Sequence, residues 1–123
     1  MPALIVSNGT QEGLFLPLGK KSTVIGRDEA VPLQLEDERV SRKHCQVRHE
    51  PKDDGYYLLD MKSSNGTYLN NRRMVSEARL NDGDEIQLGD TKILFTTEVP
   101  TDKANALAVM KKAGERRRST LMR

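Results

Sequence analysis

Short β-prone runs separated by tight turns dominate this sequence. The runs at residues 23–25 and 56–59 hold only three or four apolar, aromatic or β-branched residues each. Turns between the runs contain glycine, asparagine and aspartate, which tolerate the positive φ angles of tight hairpins. Gly89-Asp90, between the runs at 84–88 and 91–95, predicts one such hairpin. About ten short strands at intervals near ten residues predict an all-β sandwich.

Composition restricts both the core and the cellular setting. Trp is absent and only five of the 123 residues are Phe or Tyr, so the core must be built from Leu, Ile and Val. The single cysteine, Cys45, excludes an internal disulfide and any metal site made from cysteines alone. The first residues contain no apolar run long enough for a secretory leader, and none elsewhere approaches the roughly 20 residues of a membrane helix. These features favour a cytoplasmic protein without a membrane span.

Charge divides the chain near Pro100. The first 100 residues carry 13 basic and 16 acidic side chains, whereas the last 23 carry 7 basic and 2 acidic ones. The two net charges, −3 and +5, give +2 for the whole chain. This near-balance argues against nucleic acid as a partner. We predict a domain at residues 1–99 and a basic tail at 100–123, either helical at 102–113 or disordered.

The sequence lacks the residue patterns of an enzyme active site. His44 and Cys45 are neighbours on a predicted strand, so their side chains point to opposite faces. His49 shares a face with Cys45 but lies about 13 Å away along an extended strand. No Walker loop, HExxH or GxGxxG motif is present. We therefore predict a non-enzymatic protein that uses no metal and no cofactor.

Four short motifs lie at strand ends and in loops, and the first three share the chemistry of phosphate recognition. They are Gly26-Arg27, residues 41–44 (Ser-Arg-Lys-His), residues 63–67 (Ser-Ser-Asn-Gly-Thr) with Asn70, and residues 80–86 (Leu-Asn-Asp-Gly-Asp-Glu-Ile). An arginine guanidinium forms charge-assisted hydrogen bonds to phosphate oxygens, and serine hydroxyls and loop N–H groups add donors. An asparagine amide donates and accepts at once, so it can hold a peptide backbone.

In this order and spacing the motifs resemble the signature of the forkhead-associated (FHA) family. The resemblance covers residues 4–98 and shows no departure at the motif positions. It implies an eleven-stranded FHA-type β-sandwich whose loops at one end bind phosphothreonine peptides. The implied function is a signalling adaptor that recruits a phosphothreonine-containing protein after an upstream Ser/Thr kinase has acted.

The resemblance also implies a role for individual residues. Arg27 and Ser41 bind the phosphate, and Arg42 adds a backbone N–H or a second charge. Ser64 contacts the phosphate or lines the pocket for the threonine methyl group, and Asn65 holds the peptide main chain. Architectural roles are implied for Gly26, His44, Gly66, Thr67 and Asn70.

Arg39, two residues before Ser41, lies on the loop that we expect to meet the residue three after the phosphothreonine. Its positive charge predicts an acidic preference at that peptide position. The acidic run at 36–38 lies next to Arg39, and we expect it to offset part of that charge.

The basic tail offers a second functional hypothesis. Arg116-Arg117-Arg118 precedes Ser119 and Thr120, a pattern typical of substrates of basic-directed Ser/Thr kinases. Phosphorylated Thr120 would offer the domain a self-ligand at high effective concentration. Alternatively, the tail is a solvated charge run, or it contacts nucleic acid or an anionic membrane through charge alone.

An alternative function retains the β-sandwich fold but does not involve phosphate recognition. In this reading an FHA-like sheet face mediates phospho-independent protein contacts, and the basic tail is an electrostatic anchor. The two functions differ in whether a peptide binds only when its threonine is phosphorylated.

Overall fold

The structure is a computed structural model, and it describes residues 2–97. These residues form eleven β-strands, which confirms the all-β prediction and the strand count. In chain order they are β1 (Ala3–Val6), β2 (Phe15–Pro17), β3 (Thr23–Gly26), β4 (Leu33–Gln34), β5 (Cys45–Glu50), β6 (Gly55–Asp60), β7 (Thr67–Leu69), β8 (Arg72–Arg73), β9 (Ala78–Arg79), β10 (Glu85–Leu88) and β11 (Thr91–Thr96). The predicted tail at 100–123, with its helix at 102–113, lies outside the described residues. Within residues 2–97 no helix is long and apolar enough to cross a membrane.

The strands form two sheets. One has six strands in the order β2-β1-β11-β10-β7-β8, and the other has five in the order β4-β3-β5-β6-β9. The paired strands run antiparallel, apart from the parallel pair β3 and β4. Leu88 lies opposite Thr91, so the hairpin predicted at Gly89-Asp90 is confirmed.

One hydrophobic core contains side chains from both sheets. On β1, Leu4 and Val6 contribute to it, and on β11, Ile93 and Phe95 contribute, so alternate side chains of each strand face this core. Each fully buried aliphatic side chain stabilises the fold by about 1.5–3 kcal/mol. The core is therefore mainly aliphatic, as the composition requires, with Phe95 and Tyr56 as its aromatic members.

Strand pairing brings three chain segments to one end of the sandwich. β3 ends at Gly26 and β5 begins at Cys45, and these two strands are antiparallel, with Ile25 opposite Cys45. β6 ends at Asp60, which also lies opposite Cys45. The segment after β3, the segment before β5 and the loop after β6 therefore meet at the same edge.

A two-residue turn, Asn70-Asn71, joins β7 to β8. The φ angles of the two residues are 50° and 69°, the left-handed pair that a type I′ hairpin turn requires. Asparagine enters this region at lower energetic cost than most residues because its short side chain bonds locally. The turn places Arg73 opposite Tyr68, while Arg72 lies opposite Leu69.

Candidate functional site

Arg27 is held at the sheet edge by two hydrogen bonds to the segment before β5. Its backbone N–H donates to the Ser41 carbonyl at 3.0 Å, and its Nε donates to the Val40 carbonyl at 3.1 Å. Among residues 2–97, no hydrogen bond or ion pair engages the two Nη groups. The Nη groups are therefore available to bind an anion.

Gly26 permits this close contact between the two segments. A Cβ at residue 26 would lie 1.9 Å from the Arg42 carbonyl oxygen and 3.0 Å from that of Ser41. The Asp28 N–H also donates to the Arg42 carbonyl, at 3.2 Å, so the segments are joined backbone to backbone. Only glycine fits before Arg27 in this geometry. The Arg42 side chain is exposed.

Ser41 connects this edge to the loop before β7. Its Oγ accepts a hydrogen bond from the Ser64 N–H at 3.1 Å, which leaves the hydroxyl proton free to be donated. The Asn65 Nδ2 donates to the Arg39 carbonyl at 2.8 Å. The structure therefore brings Arg27, Ser41, Ser64 and Asn65 together, and we call these four residues the loop rim.

His44 connects the segment before β5 to the loop before β7 through its buried side chain. Its side chain is fully buried, and its Nδ1 accepts a hydrogen bond from the Ser41 N–H at 3.0 Å. In the neutral ring the proton must then lie on Nε2, which donates to the Gly66 carbonyl at 2.8 Å. One imidazole thereby fixes the position of Ser41 relative to Gly66.

Asp60 organises the loop at residues 61–66, and the sequence motifs did not single it out. Its carboxylate accepts hydrogen bonds from the Ser63 N–H and hydroxyl and from the Thr67 hydroxyl, the last at 2.7 Å. Burial would raise the pKa of Asp60, but the hydrogen bonds from Ser63 and Thr67 outweigh it and hold the pKa below its usual value. The sequence signal was an aspartate three residues before Ser63, a spacing at which a carboxylate bonds to a nearby backbone N–H.

Asn70 joins the third motif to the fourth. Its Oδ1 accepts from the Glu85 N–H at 2.9 Å, and its Nδ2 donates to Asp84 Oδ1 at 2.9 Å. Asp84 Oδ2 in turn accepts from the Asn81 N–H at 2.7 Å. These contacts lie beyond the loop rim and fix the start of β10 against the end of β7.

Arg39 has an acidic partner that sequence reasoning missed. Its guanidinium pairs with Asp90, on the β10–β11 turn, at 3.5 Å, and the two side chains are 70% and 73% exposed. Within residues 2–97 the salt-bridge partner of Arg39 is thus Asp90 rather than a carboxylate of residues 36–38. Asp37 accepts hydrogen bonds from the Arg39 and Asp90 N–H groups and from the Thr91 hydroxyl. Burial would raise the pKa of Asp37, and these bonds lower it overall.

An open groove of about 530 Å³ adjoins Asn65. Its lining is formed by Arg39, Asn65, Tyr68, Asn71, Gln87, Gly89 and Asp90. Small-molecule sites are predominantly apolar, whereas most of these side chains are polar or charged. The groove therefore suits an extended peptide better than a compact apolar ligand.

The candidate nucleophile does not form a catalytic pair. Cys45 is fully buried, and burial raises the pKa of its thiol far above the usual value. Both ring nitrogens of His44 are occupied by backbone groups, and His49 contacts Asp54 instead, at 2.6 Å. No group of three or more potential metal-ligating side chains occurs among residues 2–97. The predicted phosphosites at residues 119 and 120 lie outside the described residues.

Comparison with known proteins identifies the family. The FHA domain family model matches residues 23–89, which is more than half of the chain. The glycogen accumulation regulator GarA of Mycolicibacterium smegmatis is 34% identical over 105 residues, covering 85% of this chain and 65% of GarA. The oxoglutarate dehydrogenase inhibitor of Corynebacterium diphtheriae is 35% identical over 92 residues, covering 75% and 62%. The chain thus spans less than two thirds of the length of either relative.

Solved structures agree with this assignment. The FhaA FHA domain, solved in complex with the intracellular domain of Rv3910, matches with a TM-score of 0.68 and 34% identity. That match covers 77% of this chain and 99% of the FhaA chain. Mycobacterium tuberculosis EmbR, solved with a low-affinity phosphopeptide, matches with a TM-score of 0.71 and 30% identity over 82% of this chain and 25% of EmbR.

FHA domains are binding modules that read phosphorylated peptide motifs through arginine clusters. The predicted β-sandwich and the predicted class of function, phosphothreonine-peptide binding, are both confirmed at the level of the family. From the match to the family model and from these structural relatives, we conclude that the chain belongs to the forkhead-associated family.

Proposed function

We propose that this chain is a non-enzymatic adaptor that binds phosphothreonine peptides at the loop rim. The observation that carries the proposal is the direct bonding among the three loops that contain Arg27, Ser41 and Asn65. That bonding holds a cation, a hydroxyl donor and an amide close together at one end of the sandwich. The names of the two curated relatives describe a regulator and an inhibitor, which supports a role exerted through another protein.

Each rim residue has a proposed role in the complex. The Arg27 Nη groups bind phosphate oxygens, and Ser41 donates its hydroxyl proton to the same phosphate. Arg42 adds positive charge or a backbone N–H. Ser64 contacts the phosphate or the threonine methyl group, and the Asn65 amide holds the peptide main chain after the phosphothreonine.

The phosphate supplies most of the proposed binding energy. Truncating one partner of a tight charge pair costs on the order of 2–5 kcal/mol. The threonine methyl group adds roughly 1 kcal/mol, or about a fivefold preference over serine. Phosphorylation therefore decides whether a peptide binds, and the methyl group adjusts which phosphorylated residue is favoured.

Arg39 is proposed to favour an acidic residue three positions after the phosphothreonine. The Arg39–Asp90 pair competes with that peptide residue, so the preference in the native protein is weak. Asp90→Asn removes the competing carboxylate and should strengthen binding of a peptide with Glu at that position relative to one with Ala. An unchanged Glu-to-Ala affinity ratio would contradict the role of Arg39.

The test is fluorescence anisotropy with one peptide in threonine and phosphothreonine forms. We expect saturable binding only of the phosphorylated form, and loss of that binding in Arg27→Ala. Lys52→Ala is the matched control, because Lys52 lies in the turn at the opposite end of β5. Equal affinity for both peptide forms would instead support phospho-independent protein contacts. Retention of micromolar affinity in Arg27→Ala would refute the assigned site.

The proposed partner is a protein phosphorylated by an upstream Ser/Thr kinase, and the chain's own tail is a proposed second ligand through Thr120 or Ser119. Kinase treatment followed by intact mass and sizing tests the tail. A phosphorylated chain whose site still binds external phosphopeptide at full affinity would count against a self-ligand. We place the adaptor in the cytoplasm, since a small domain without an internal disulfide fits a reducing compartment.

A further inference from the structure

Arg73 lies directly over the loop that carries Asn65. A Cβ built on Gly66 would be 2.8 Å from Arg73 Nε and 3.3 Å from its Nη2. Gly66 has a φ of 84°, a backbone conformation that glycine adopts readily. The guanidinium of Arg73 therefore covers the residue that follows Asn65, although Arg73 belongs to the separate strand β8.

The charge of Arg73 is unpaired within residues 2–97. Arg39, Arg48 and Arg79 each have a carboxylate within 4.0 Å, namely Asp90, Glu77 or Asp53. The Arg73 side chain has no hydrogen bond or ion pair among the described residues, and it is exposed. A solvated guanidinium beside a peptide-binding loop is ready to accept an anionic partner from the peptide.

The geometry of the chain limits the distance between an anionic peptide group bound by Arg73 and the phosphate of the phosphothreonine. Consecutive Cα atoms are about 3.8 Å apart, so Gly66 is at most about 7.6 Å from Ser64 on the loop rim. An extended peptide advances about 3.3 Å per residue. Arg73 is therefore within reach of a peptide side chain two or three residues from the phosphothreonine.

We propose that Arg73 determines specificity by binding an anionic side chain near the phosphothreonine, either a carboxylate or a second phosphate. The proposal rests on the proposed function, because it requires the peptide to lie along the loop rim. The planar guanidinium binds either group through paired hydrogen bonds. An exposed ion pair of this kind strengthens binding by about two- to fivefold.

Neighbouring Arg72 provides a matched control. Both arginines are on β8 and exposed, and each lies opposite a different residue of β7, Arg73 opposite Tyr68 and Arg72 opposite Leu69. Successive side chains of a strand point to opposite faces, so Arg72 points away from the face that Arg73 occupies. Arg73→Gln and Arg72→Gln remove the same charge and keep a long stem, so they differ only in position.

The experiment is a charge scan read by anisotropy. A phosphothreonine peptide with alanine flanks is compared with peptides carrying one Glu at each position from −3 to +2, because the acidic preference proposed for Arg39 concerns position +3. We expect Glu at one or more positions to improve binding about two- to fivefold in the wild type and in Arg72→Gln. That gain should vanish in Arg73→Gln and partly return in Arg73→Lys. A phosphoserine at the best position should give a larger gain with the same dependence on Arg73.

Three results would overturn the proposal. The gain from Glu could persist in Arg73→Gln, it could fall equally in both glutamine variants, or Arg73→Gln could weaken every peptide alike while its melting temperature drops. The second result would mean that the Glu side chain responds to long-range positive charge and not to contact with Arg73. The third would mean that Arg73 stabilises the loop at Gly66 and does not bind the peptide. Failure of the wild type to distinguish the alanine-flanked phosphothreonine peptide from its unphosphorylated form would overturn the proposed function, and this inference with it.

Discussion

Replacement of Gly26 by alanine should damage both the fold and the loop rim. The added Cβ would lie 1.9 Å from the Arg42 carbonyl oxygen, whereas real Cβ contacts stay beyond 3.0 Å, so the backbone must move by at least 1.1 Å. Such overpacking costs about 1–3 kcal/mol. Loss of the hydrogen bonds from the Arg27 and Asp28 N–H groups adds about 1 kcal/mol each. We therefore expect Gly26→Ala to lower the free energy of unfolding by about 3–5 kcal/mol.

Urea denaturation followed by circular dichroism measures this loss, and anisotropy measures phosphopeptide binding in the same variant. Gly19→Ala is the control, because a Cβ at residue 19 would meet no heavy atom within 4 Å and the φ of Gly19 is not in the left-handed region. That variant should remain within about 1 kcal/mol of the wild type. If Gly26→Ala unfolded at the wild-type urea concentration and kept its phosphopeptide affinity, the proposed contact between the two segments would be wrong.

Buried polar and thiol groups give three further expected outcomes. His44→Phe should destabilise the fold by about 2–4 kcal/mol in thermal or urea unfolding, because the Ser41 N–H and the Gly66 carbonyl lose their partner; an unchanged stability would contradict the bridging role. The lowered pKa of Asp60 in the folded state contributes stability above its unfolded pKa, which is lost as pH falls through the folded value. Asp60→Asn should therefore flatten the acid limb of a plot of unfolding free energy against pH. An unaltered limb would contradict the contribution of the Asp60 carboxylate to stability. Cys45 should resist iodoacetamide in the native protein and react after denaturation, since burial raises its thiol pKa; rapid native labelling would disprove its burial.

The sequence predicted most of the fold because its information was local. The Gly89-Asp90 turn and the short apolar runs each span only a few residues. The order of the four motifs then led to the family and to Arg27, Ser41 and Asn65 as candidates. What the motifs did not reveal was how these residues bond to each other, which depends on the pairing of β3, β5 and β6.

Most features that sequence reasoning missed are contacts between residues of different strands or loops. Asp90 pairs with Arg39 across 51 positions of sequence, and Arg73 reaches Gly66 through the β7–β8 hairpin. Neither pairing has a signal in composition or periodicity, because both depend on which strand edges meet in space. Asp60 was detectable in principle from its spacing to Ser63. However, an aspartate before a serine-rich segment is also common in ordinary turns, so the spacing alone did not indicate a role in the site.

Two hydrogen bonds, from the Ser64 N–H to Ser41 Oγ and from Asn65 Nδ2 to the Arg39 carbonyl, join the loops to one another through groups of the chain itself. A receptor whose contact surface is already assembled loses little conformational entropy when it captures a ligand. Affinity differences among related ligands of such a receptor then arise mostly from how slowly each ligand dissociates.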